Sequence, residues 1–110
     1  MPTAADSASK EVWIGLACVH QRPGAGVLMD ENDAYVQVLA LASTAAEFCS
    51  EVVAGFDAIG FDLAELEDAE PLVERRRKAV VDSSLLAKAT EVRDTGNPRF
   101  GPFVAWRTDT

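Results

Sequence analysis

The chain predicts an α+β domain built on a four-stranded, largely antiparallel sheet with helices packed on one face. Four segments carry a two-residue apolar alternation, and two stretches with helical spacing and capping signals separate the later strands. An apolar fraction of 48% and a charged fraction of 25% in 110 residues suit one ordinary globular core.

Glu11 to His20 is the first strand. Val12, Ile14, Leu16 and Cys18 share one side of it, and Trp13, Gly15, Ala17 and Val19 share the other. Both sides are apolar, which fits an interior strand or one whose second face meets a helix layer or another subunit. Gln21 to Asp33 breaks the pattern with Pro23, Gly24, Gly26, Asp30, Asn32 and Asp33 around a small apolar island, Val27 to Met29. Its length marks it as a candidate ligand-facing flap.

Ala34 to Ala42 is the second strand, expected to pair antiparallel with the first, with Tyr35, Gln37, Leu39 and Leu41 on one side. Thr44 to Ile59 is the clearest helix. Thr44 and Glu47 have capping-box spacing, Phe48, Val52, Phe56 and Ile59 form one stripe, and Gly60 supplies a left-handed stop. Phe61 to Asp68 is a short acidic strand whose carboxylates suit an edge position. Pro71 suits a helix start, and Leu72 to Arg93 is mostly helix-forming. Asp82, Ser83 and Ser84 interrupt it, so the segment is either kinked or divided, with a second helix from about Leu85 to Arg93. After a turn at Thr95 to Pro98, Arg99 to Arg107 is the last strand, and Pro102 places it at an edge or a bulge.

The order ββαβαβ corresponds to a ferredoxin-like sandwich or a permuted variant of one. A tail over residues 1–10, one domain over 11–107 and a short end over 108–110 complete the expected organisation.

Charge narrows the function classes. Eighteen acidic against ten basic residues give a net charge of -8, which opposes binding to a phosphate backbone. Nucleic acid is therefore not an expected partner. No apolar run is long enough to cross a bilayer, so no membrane association is expected. The N-terminal stretch lacks the pattern of a secretory signal, and Cys18 and Cys49 form no disulfide framework, so a reduced, cytoplasmic setting is expected.

His20 is the only histidine, and no second histidine or paired-cysteine motif completes a metal tetrahedron. Pro23-Gly24-Ala25-Gly26 lacks the lysine and following helix of a phosphate loop. No catalytic residue, metal or cofactor is expected from these residues. Trp13, His20, Tyr35, Glu65, Phe103 and Trp106 are the candidate ligand-binding residues, as aromatic surface plus polar groups. Arg75, Arg76 and Arg77 are the candidate partner-binding residues, because with Lys78 they concentrate four of the ten basic side chains in one helical turn.

Two functions follow as expectations. The first is an acidic, non-enzymatic interaction module of the immunity or accessory-factor type, homodimeric through an uncovered apolar sheet face and binding a protein partner. The second is a small-molecule binder or modest enzyme, with a small apolar ligand held in a pocket between sheet and helices and gated by the 21–33 loop.

Overall fold

A computed structural model of the chain describes residues 10–24, 26 and 32–106, with side chains through Val104. Strands β1 (Glu11–Gln21), β2 (Asp33–Ala42), β3 (Phe61–Pro71) and β4 (Arg99–Trp106) form one sheet in the order β3-β1-β2-β4, with every neighbouring pair antiparallel. The α+β class and the four-stranded sheet are thus as the sequence predicts, in a variant of the ferredoxin-like arrangement. Helices α1 (Ala45–Ala58), α2 (Leu72–Lys78) and α3 (Ser83–Thr95) connect the later strands.

The helices do not share one face, which corrects the expected layering. Ala17, Val19, Ala34, Val36, Val38, Ala40 and Ala42 pack with Phe48, Val52 and Phe56 of α1 in one core. Val12, Ile14 and Leu39, from the opposite sides of the same strands, pack with Leu72 of α2 and with Ala89 and Val92 of α3 in another. The physical cause lies in the two central strands, whose inward and outward positions are both apolar and so require cover on both sides. The connections supply it. The crossover from β2 to β3 carries α1 over the first face, and the route from edge strand β3 to edge strand β4 carries α2 and α3 over the second.

Local chemistry sets each boundary. Thr44 Oγ1 accepts from the Glu47 amide at 3.1 Å, while the Glu47 carboxylate accepts from the Ser43 amide at 2.6 Å, one residue ahead of the cap itself. Gly60, at φ +90°, stops α1. There the Arg22 guanidinium donates to both the Asp57 carbonyl and its carboxylate at 2.9 Å, tying the end of β1 to the electronegative end of α1. β3 runs three residues beyond its predicted end because Asp68, at φ 54°, sits where the register with β1 shifts and restarts pairing at Glu70. The interrupted helical segment is divided. Asp82 caps α3 by accepting from the Ser84 amide at 3.0 Å, so the second helix begins at Ser83 rather than Leu85. Pro102 satisfies both of its expected placements, since β4 is an edge strand and its pairing shifts between Val36 and Val38.

Candidate functional site

The register decides which side chains meet. On the second face, β1 presents Val12, Ile14, Leu16, Cys18 and His20, opposite Leu41, Leu39, Gln37, Tyr35 and Asp33 of β2. On its other flank the same strand faces Glu70, Glu67, Glu65 and Asp62 of β3. The short α2 and α3 cover only the Val12–Ile14 end. A methyl group on Gly101 would touch Leu85 of α3 at 3.3 Å and Gln37 at 3.5 Å, which locates the margin of the helix layer. Beyond it no helix among the described residues covers this face of the sheet.

That open half has a lateral gradient. At the β4 side, Tyr35 and its cross-strand partner Val104 are 42% and 64% exposed. Leu16 and Cys18 lie half-buried at the centre, and Glu65 and Glu67 stand exposed on β3. His20 Nδ1 lies 2.9 Å from Asp33 Oδ1 across the β1–β2 pair. The surface therefore passes from aromatic and apolar to anionic over three strand spacings, or about 14 Å.

Asp33, His20 and Cys18 have the composition of an orienting carboxylate, a base and a thiol nucleophile. Their electrostatics oppose that chemistry. Burial pushes the Cys18 thiol up, and the negative charges of Glu65, Asp33 and Glu67 push it further, so the reactive thiolate is suppressed where a nucleophile requires it enriched. Cys18 and His20 also extend from the same side of one strand, side by side rather than converging.

Of the candidate ligand-binding residues, His20, Tyr35 and Glu65 come together on this open half. The backbone of Trp106 pairs with Asp33 at the same end, while its side chain lies outside the described residues. Trp13 and Phe103 lie on the opposite face against the α1 core. There Phe56 stacks on Phe100 at 4.4 Å and meets Phe103 edge-on at 6.4 Å, and Trp13 stacks on Phe48 at 5.9 Å. These rings fill the space between sheet and α1 instead of lining a shared cavity with His20 and Glu65. The apolar island Val27 to Met29 of the proposed flap lies outside the described residues.

The three arginines of α2 separate as well. Arg75 is turned onto β3, where its Nε donates to Glu70 and its Nη2 to the Asp68 carbonyl at 2.7 Å. Arg77 reaches Glu74 at 3.0 Å, and Arg76 is exposed with no partner among the described residues. Lys78 adds a 2.6 Å contact to Glu70, so two cations hold that carboxyl below its usual range, Lys78 first and then Arg75.

Sequence reasoning missed Glu67, Asp33 and Val104 as parts of one surface. Alternation alone signals that each shares a face with its own strand neighbours, but only the register joins the three strands. Among the described residues no cluster of histidine, cysteine, aspartate or glutamate is arranged to hold a metal ion, and no helix is long and apolar enough to cross a membrane. Comparison with known proteins gives no match to a family model, to a curated protein or to a solved structure.

Proposed function

We propose that this chain is a non-enzymatic interaction module whose open sheet half-face docks a basic, amphipathic segment of a protein partner. The lateral gradient carries the reading. A segment with an apolar side and a cationic flank would cover Tyr35, Val104 and Leu16 while setting its charges toward Glu65 and Glu67 on β3. A helix with its side chains is about 10–12 Å across, which fits the open width and would extend the layer that α3 begins. The net charge of -8 favours encounter with a cationic partner.

A second copy of the chain suits the surface less well. A two-fold contact between identical open halves would bring like carboxylates toward one another, in a chain that already repels its copies. The small-molecule reading has less support, since Trp13 and Phe103, two of the four aromatic residues meant to line its pocket, pack against the α1 core on the opposite face from Tyr35.

The test is titration of the labelled protein with a helical Leu/Lys amphipathic peptide, read by backbone amide shifts, beside a Leu/Glu peptide of equal length. Saturable binding of the Leu/Lys peptide is expected, with shifts centred on Leu16, Cys18, Tyr35 and Val104. It should weaken in Glu65→Lys/Glu67→Lys and in Tyr35→Ser, and persist in Glu51→Lys, which alters charge on α1 over the other face. Equal weakening by Glu51→Lys would reduce the effect to net charge and defeat the proposal. A dimer by light scattering that Tyr35→Ser dissolves would assign the surface to a second copy instead.

A further inference from the structure

Two guanidiniums without a partner among the described residues, those of Arg76 and Arg93, converge on one groove outside the open sheet half-face. Arg76 and Arg77, in the last turn of α2, and Arg93, in the last turn of α3, line a concavity of about 360 Å³ whose apolar wall is Leu72 and Val73. A second concavity of about 520 Å³ adjoins it across Arg76 and Arg77, with Val80, Val81 and Leu86 as its apolar side. Val80 is 99% exposed.

Arg76 and Arg93 have neither an ion pair nor a hydrogen-bond partner among the described residues. The partial negative charge at the end of a helix, about half an elementary charge, offsets only part of the four cations in the last turn of α2. Glu70 takes Arg75 and Lys78, and Glu74 takes Arg77. The guanidiniums of Arg76 and Arg93, offered from two different helices, remain. Their planar donor forks match an oxyanion, and the adjoining Val80, Val81 and Leu86 offer apolar surface that an inorganic ion would not use.

We propose that this double groove binds a free, single-chain organic anion, with its oxyanion between Arg76 and Arg93 and its apolar chain along Val80, Val81 and Leu86. Charge and apolar surface act together, so neither alone should suffice. The groove shares no lining residue with the sheet half-face, so its binding test is separate from that of the half-face.

Calorimetric titration with octanoate, acetate and octylammonium tests it on the intact chain. Octanoate is expected to bind saturably and acetate at least about tenfold more weakly, the difference that burying the apolar chain adds. Octylammonium should not bind. Arg76→Ser/Arg93→Ser should weaken octanoate by at least about tenfold through loss of charge-assisted bonds. Both side chains are exposed, so an unchanged melting temperature will show that the fold is kept. Val80→Ser, equally remote from the core, should weaken octanoate and leave acetate alone. Absence of octanoate binding would overturn the proposal, as would equal affinity for acetate or octylammonium, or undiminished binding by the double variant. Association with anionic lipid vesicles without binding of monomeric octanoate would overturn it too.

Discussion

Gly15→Ala tests the layering on which both proposed surfaces rest. A Cβ built at Gly15 lies 3.0 Å from Cε2 of Phe48, 3.1 Å from Cδ1 of Leu66 and 3.4 Å from the Glu67 carbonyl oxygen. Leu66 is half-buried and can turn aside, but Phe48 is fully buried in the α1 core and stacked on Trp13. The methyl group therefore overpacks the site, which costs about 1–3 kcal/mol. Replacing glycine in a strand returns roughly 0.5–1 kcal/mol through the unfolded chain. The two ranges leave a net destabilisation of about 0–2.5 kcal/mol, whose midpoint corresponds to a fall of roughly 5 °C in melting temperature for a domain of this size. Urea denaturation measures it, with Phe48→Leu and the double variant completing a cycle. Phe48→Leu withdraws the clashing ring edge, so the double variant should be less destabilised than the sum of the singles by more than about 0.5 kcal/mol. Strict additivity with a neutral or stabilising Gly15→Ala would refute the reasoning. It would mean that α1 does not lie over Gly15, and the side of β1 carrying Leu16, Cys18 and His20 would lose its identification as the second face.

Three further outcomes follow from the local chemistry. Thr44→Ala removes the acceptor for the Glu47 amide and should cost about 0.5–2 kcal/mol in the same denaturation assay, and Thr44→Ser should restore most of it. Glu70→Gln should lower stability at neutral pH. Because folding depresses the Glu70 pKa, its contribution is complete above the ordinary carboxylate value of about 4.3 and vanishes as pH falls through the lower folded value. Melting temperatures of wild type and variant should therefore converge in acid, and a constant gap would contradict the sign. Iodoacetamide followed by mass spectrometry should label exposed Cys49 faster than Cys18 near pH 8, and Glu65→Gln should accelerate Cys18 by removing one of the charges that raise its thiol.

The elements were legible because their signals are local. Thr44 with Glu47, Gly60, and Asp82 each act within four residues of the boundary they set, and each boundary falls within two residues of its expected place. The extension of β3 was not legible, because a left-handed Asp68 has no distinctive sequence mark and its bulge exists only relative to β1. That Trp13 and Phe103 lie on the opposite face from His20, Tyr35 and Glu65 was not legible for a similar reason. An apolar residue on a strand states that it needs cover, not which helix provides it. Nor does alternation reveal that Phe100 and Phe103, three residues apart, share a face once the β4 register shifts.

The candidate surface is still less visible in sequence, since it is defined by where the helix layer stops. The pairs from Arg75 and Lys78 to Glu70 fasten α2 to the end of β3, and Asp82 starts α3 after only four intervening residues. That anchoring commits both helices to the Val12–Ile14 end of the face. It also disposes of two of the four clustered cations within the fold. What the Arg75–Lys78 run leaves for binding is therefore Arg76, aided by Arg77 at the surface and by Arg93, which is distant in sequence. The same salt bridges that uncover Tyr35 and Val104 at one end thus select the free guanidiniums at the other. The partly exposed carboxylate of Glu70 at the end of β3 takes Arg75 and Lys78 and leaves Arg76 without a partner among the described residues.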